Sequence, residues 1–300
     1  MSDQTKKPVY INRENFTDKI KSYLRHPGSM ILMFLVMLAT FITFALLLFL
    51  IFYILINGIP YIKPSLFSLH YTSDNASVIP ALINTVVMTL LSLLIAVPFG
   101  IFSAIFLVEY AGKGNKFIEV IRLTTETLSG IPSIVYGFFG LVVIVPAMQK
   151  IFSTSGKGIL TASLLLGIMI LPTIIEVTES SLRAVPTSYY EGSLALGATK
   201  ERTIFKSVMV AAKSGVMSGV ILGIGRAIGE TMAVIMVAGN QAAIPTSVLS
   251  GVRTLTANIV LEMAYAADLH RDALIATAVV LFVFILIINV CFSLVKRRNG

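Results

Sequence analysis

The stretch Gly225-Arg226-Ala227-Ile228-Gly229-Glu230-Thr231 sets a guanidinium and a carboxylate inside a run that is otherwise almost entirely apolar. Residues four apart share a face of a helix, so the spacing brings Arg226 and Glu230 within reach of one another. A charge at mid-membrane costs about 2.5 to 3.5 kcal/mol on insertion scales, so two in one segment need a partner, a water-filled cavity or both. Two readings follow. The pair is a structural ion pair fastening two helices, or it stands on a polar transport path, where a breakable pair also serves as a gate.

The remainder of the chain reads as the scaffold for that pair. Of 300 residues, 56% are hydrophobic and 13% charged, and several apolar runs approach the length a helix needs to cross a bilayer. The composition predicts an all-α integral membrane protein with six transmembrane helices. A polar, basic tail covers residues 1–28. The first span, 29–56, has too long an apolar core for a cleavable leader and no small-residue cleavage site. An outer loop, 57–79, leads to further spans at about 80–108, 123–148, 158–175, 214–238 and 273–295. A short charged connection occupies 109–122, and a basic tail, 296–300, follows the last span. The hydrophilic stretch 176–213 alternates charges with helix formers, which predicts helices at the membrane surface.

Two of these runs carry special residues. In the third, Pro132 and Gly137 lie within a Gly- and Pro-rich segment that predicts a broken or closely packed helix, and Ser133 and Tyr136 offer hydroxyls to a pathway. In the fifth, one ladder of small residues, Gly215, Gly219 and Gly223, and a second, Gly225, Gly229 and Ala233, let helix backbones approach closely.

The formal charge of +8 is distributed as membrane topology requires, and no basic patch interleaved with aromatics points to nucleic acid. Seventeen of the twenty-three lysines and arginines fall in the tails and in the segments 109–122 and 176–213. Five fall in the alternate loops, and Arg226 lies within a span. The positive-inside rule then predicts a multi-pass protein with both termini in the cytoplasm. No Gly-x-x-x-x-Gly-Lys-Ser/Thr phosphate loop occurs, so ATP dependence must come from a partner and no cofactor is expected on this chain. The scattered histidines give no metal-ligand spacing, the Asp268/His270/Asp272 group being explained by an exposed helix. The single cysteine, Cys291, excludes an intrachain disulfide.

The segment Tyr190-Glu191-Gly192-Ser193-Leu194-Ala195-Leu196-Gly197-Ala198-Thr199 resembles the loop through which binding-protein-dependent ABC importer permeases engage their ATPase. A short surface helix closed by a glycine turn is a rigid lever that fits a cleft on a motor protein. Gly192 and Ser193 stand where that loop usually has alanines, and Val210 where the family often has proline. Taken in order with Gly130-Ile131-Pro132-Ser133-Ile134-Val135-Tyr136-Gly137 and with Gly225 to Val234, the loop makes the chain similar to phosphate importer permeases. Met236-Val237-Ala238-Gly239-Asn240, Ile244-Pro245-Thr246-Ser247 and Arg253-Thr254-Leu255-Thr256 look more like the PstC-type subunit than its PstA-type partner.

The resemblance spans residues 80 to 298 and implies a type I ABC importer permease architecture with its core at 80–295, in the cytoplasmic membrane of a prokaryote. It implies a heterodimer with a PstA-type second permease, a dimeric ATPase binding ATP and Mg, and an extracytoplasmic phosphate-binding protein. Glu191, Gly192, Ser193, Gly197 and Ala198 are the expected ATPase-coupling residues. Arg226, Glu230, Thr231, Ser133 and Tyr136 are the expected pathway or gate, with Arg226 contacting the anion and Glu230 holding it in place. Pro132, Gly137, Gly219, Gly223, Gly225 and Gly229 are the expected helix-packing positions. Three alternatives stay open: a secondary transporter or channel for an anion, an importer permease for phosphonate, sulfate or molybdate, and a scaffold whose charged pair only fastens helices.

Overall fold

The computed structural model describes residues 27–72, 75–110 and 116–299. Most of the expected N-terminal tail, 1–28, and residues 111–115 of the 109–122 connection therefore fall outside the described residues, whereas 296–299 of the expected C-terminal tail continue the last helix. Helices follow one another as α1 (Pro27–Gly58), α2 (Ile79–Tyr110), α3 (Lys116–Gly130), α4 (Ser133–Phe152) and α5 (Ile159–Arg183). After these come α6 (Thr187–Ala195), α7 (Lys200–Gly229), α8 (Met232–Val237), α9 (Leu255–Met263) and α10 (Asp268–Asn299). Six of them, α1, α2, α4, α5, α7 and α10, are long and apolar enough to cross a membrane. Of the described residues, those up to Leu55 form one unit and those from Ile56 onward another. Within α1 the hydroxyls of Thr40 and Thr43 donate back to the carbonyls of Val36 and Ala39, so neither adds an unpaired polar group to the apolar helix.

In the larger unit α5 is the most enclosed of the spans. It lies parallel to α2, with Ser163 donating to the Met88 carbonyl at 3.2 Å and Ile174 against Gly100. It runs antiparallel to α7, where Gly215, Gly219 and Gly223 face Ser181, Val177 and Ile174 in turn. Side chains on those three glycines would meet the opposing helix, so their absence sets the close approach. One core cluster gathers Met88, Tyr136, Leu165, Leu166, Val234 and Val237, and a second gathers Ile105, Leu107, Ile175, Leu182, Ile204 and Val208.

The first turn of α5 has no side-chain cap. Its orphan amides are met by backbone instead: Gly158, Ile159 and Leu160 donate to the carbonyls of Val237, Ser250 and Val248. The 239–252 segment is thereby strapped across the head of α5. A single parallel bridge, Gly239 to Val252, is the β pairing among the described residues, and Gly239 turns there at φ +89°.

Several span limits differ from the expected ones. The run 123–148 is two helices, because Pro132 lacks an amide donor and restricts Ile131; α3 ends at Gly130 and the crossing helix starts at Ser133. The fourth span does not stop at residue 175. Glu179 pairs with Arg183 one turn on and with Arg122 of α3, so charge neutralisation lets α5 continue to Arg183. The 176–213 stretch therefore shrinks to α6 and its flanks, since α7 already begins at Lys200. The fifth span, expected to run unbroken over 214–238, ends at Gly229 and restarts at Met232. The last helix begins at Asp268, ahead of the expected residue 273.

Candidate functional site

The break between α7 and α8 decides the geometry of the charged pair. Glu230 takes an extended conformation, φ −70° and ψ 128°, which carries its side chain out of helical register. Its Oε1 accepts the amides of Thr231 at 3.1 Å and Ala233 at 3.2 Å, so the carboxylate caps the first turn of α8. Charge-assisted bonds of this kind, at the positive end of a helix, satisfy a carboxylate without a cation. Its carbonyl accepts from Thr256 of α9 at 3.2 Å, and Thr231 donates its hydroxyl to the Gly229 carbonyl at 3.2 Å.

Arg226 and Glu230 consequently form no ion pair, contrary to the expectation from their spacing, which assumed an unbroken helix. Arg226 turns instead to α5, its Nη1 donating to Oγ1 of Thr173 at 3.1 Å. The guanidinium is half-buried. Tyr136, at 5% exposure, donates its hydroxyl to the Leu128 carbonyl at 2.7 Å, bridging the α3/α4 break. Ser133 is partly exposed in the first turn of α4.

The glycines divide. Gly137 fits against Ala233 and Met236 of α8, while Gly219 and Gly223 fit against α5, as packing positions should. Gly225 and Gly229 face open space within this chain, so of the second ladder Ala233 alone packs here. Pro132 serves to start α4 and is exposed.

At one end of the bundle α6 joins α5 to α7. Its C-terminus is a Schellman turn: the Gly197 amide donates to Leu194 and the Ala198 amide to Ser193, with Gly197 at φ +83°. Thr199 then caps the start of α7 by accepting the Arg202 amide. Ser193 shares a 2.9 Å hydrogen bond with Thr203, Glu191 and Gly192 are exposed, and Leu196 is 90% exposed. Lys200 Nζ donates to the Glu109 carbonyl at 2.7 Å and sits 4.4 Å over the Tyr110 ring, tying α7 to the end of α2. Burial, with the neighbouring Glu109, Tyr110 and Glu201, pushes the Tyr190 phenol up.

The opposite end carries a second polar group that the spacing of charges did not single out. Arg253 bonds Glu262 at 2.6 Å, Asn258 at 3.1 Å and the Asn240 carbonyl at 3.3 Å, and His270 lies 3.7 Å from the other oxygen of Glu262. Asn84 of α2, fully buried, donates to the carbonyls of Ala243 and Arg253. Burial and the charge of Glu262 push the Tyr71 phenol up, while Arg253 opposes them. Thr173 was equally unmarked; its one signal is a hydroxyl next to Pro172 in an apolar span.

Comparison with known proteins accords with this arrangement. Residues 96–299 match the model of the binding-protein-dependent transport system inner membrane component family. A probable ABC transporter permease protein, YqgH of Bacillus subtilis, is 39% identical over 247 residues, covering 78% of this chain and 79% of the relative. The phosphate transport system permease protein PstC of Mesorhizobium japonicum is 36% identical over 226 residues, 68% of each chain. Among solved structures, a chain of a bacterial alginate ABC transporter, in complex with an alginate pentasaccharide-bound periplasmic protein, superposes with a TM-score of 0.65 at 18% identity over 95% of this chain and 98% of that one. The six spans and the match over residues 96–299 place this chain in the family of binding-protein-dependent ABC importer permeases.

Proposed function

We propose that this chain is a membrane-spanning subunit of an ATP-driven importer that carries inorganic phosphate across the cytoplasmic membrane by alternating access. The observation that carries the reading is the 36% identity to a phosphate transport system permease over 68% of both chains. The end of the bundle bearing α6 faces the cytoplasm, by the excess of lysine and arginine on that side. There α6, stiffened by its Schellman turn, enters a cleft on a dimeric ATPase, which binds ATP and Mg. A PstA-type permease completes the pathway, and a phosphate-binding protein docks at the end bearing α9.

Arg226 meets the anion. Thr173 occupies one nitrogen of its guanidinium, and the remaining N–H groups offer the fork that matches phosphate oxygens. Glu230 is bonded to the amides of α8 and forms no ion pair with Arg226, which leaves the guanidinium available to the anion. A guanidinium held by one hydroxyl suits a conduit that must release its cargo. Selectivity then resides in the external binding protein.

The test is phosphate uptake in cells deleted for this chain and complemented with it. Restored uptake that requires ATP and survives excess sulfate and phosphonate supports the reading. Restored sulfate uptake in its place, or phosphate uptake driven by ion gradients without ATP, contradicts it.

A further inference from the structure

We propose that Thr173 is the positioning residue for Arg226, and that it ties the guanidinium to the α6 lever; the inference rests on the phosphate-importer reading. Three observations meet at this residue. Its hydroxyl is the hydrogen-bond partner of Arg226 Nη1 at 3.1 Å, across 53 positions of sequence. It follows Pro172, buried within α5, at the level where Ile174 packs on both Gly100 of α2 and Gly223 of α7. And α5 and α7, which carry the two partners, are the helices that α6 joins at their far ends.

The glycine ladder makes this hairpin one body. A methyl on Gly219 would approach the Val177 side chain to 3.2 Å and one on Gly223 would approach the Ile174 side chain to 3.3 Å, so the α7 backbone already rests on the side chains of α5. A displacement imposed on α6 therefore carries Arg226 with it instead of sliding α7 along α5. Thr173 completes the linkage at the level of the side chain. Arginine has considerable rotamer entropy to lose, and a hydroxyl accepting from one nitrogen holds the fork in one orientation and leaves other donors to the anion. Glu230, by contrast, is bonded to α8 and, through Thr256, to α9, on the far side of the helix break. Movement of the lever thus shifts Arg226 relative to Glu230.

The experiment uses the assembled transporter, with phosphate uptake and pull-down of the ATPase and second permease read on the same membranes. Thr173→Val keeps the shape and removes the acceptor; Thr173→Ser keeps the acceptor. The expected result is a fall in maximal uptake of about tenfold for Thr173→Val, the range for losing one hydrogen bond to a charged group, with normal assembly. Thr173→Ser should stay within about twofold of wild type. The half-saturating phosphate concentration, set by the binding protein, should not move in either. Combined with Arg226→Gln, Thr173→Val should add no further loss, since the two act through one contact. Wild-type uptake by Thr173→Val while Arg226→Gln is inactive overturns the proposal and leaves the phosphate reading intact. Equal loss with Val and Ser, whether of uptake or of assembly, makes Thr173 a packing residue and overturns it as well. If the wild-type chain supports no phosphate uptake, the functional reading fails and this inference falls with it.

Discussion

At the scale of single residues, Gly197 and Glu262 each do one identifiable job. Gly197 closes α6 at φ +83° with nothing within 4 Å of where a Cβ would stand, so Gly197→Ala tests backbone conformation alone. It should cost about 1 kcal/mol, seen as a lower melting temperature of the purified complex and weaker ATPase pull-down. Glu262→Gln leaves Arg253, whose side chain is 14% exposed, without its charge partner and should destabilise the α9 end by about 1–2 kcal/mol; hydrogen exchange over residues 252–266 measures it. The sequence revealed Arg226 because a lone cation in an apolar run is costly wherever it lies. It hid Thr173, a hydroxyl of ordinary type, because its importance comes from a partner on another helix. It misplaced Glu230 because the four-residue spacing means a shared face only while the helix continues, and this one stops at Gly229.

At the scale of elements, two glycine ladders of the same pattern have different fates. Gly215 faces the Ser181 side chain, whereas Gly225 faces open space in this chain. Gly215→Ala should force α5 and α7 apart at a cost of about 1–3 kcal/mol. Gly225→Ala should leave the fold of the isolated chain unharmed and gain up to about 1 kcal/mol of helix propensity. Thermal melting of both variants in detergent separates them, and equal destabilisation would contradict the packing described. A ladder in sequence marks a face able to pack closely but not what lies opposite, so the two looked alike until α5 was in place. Span ends were similarly half-legible. Apolar runs located six crossings, but charges were read as helix ends, whereas Glu179 and Arg183 sit inside α5 because Arg122 and each other neutralise them.

For the whole molecule, the proposed linkage joins parts distant in sequence: α6 at one end, the α5/α7 hairpin through the middle, and Arg226 near the end of α7. The architecture was readable from hydropathy and from the order of the motifs, since bilayer thickness fixes helix length. The substrate was not readable from physics, because one guanidinium accepts any oxyanion; it enters through kinship with phosphate permeases. The central claim is that Arg226 belongs to the path of the anion. Uptake of labelled phosphate by cells carrying Arg226→Gln, with pull-down of the ATPase and second permease from the same membranes, tests it most directly. The account predicts that the complex assembles and that uptake falls by at least about a hundredfold, as loss of a guanidinium contact to an anion should produce. Undiminished uptake by a normally assembled complex would contradict it and reduce Arg226 to a strut between α5 and α7.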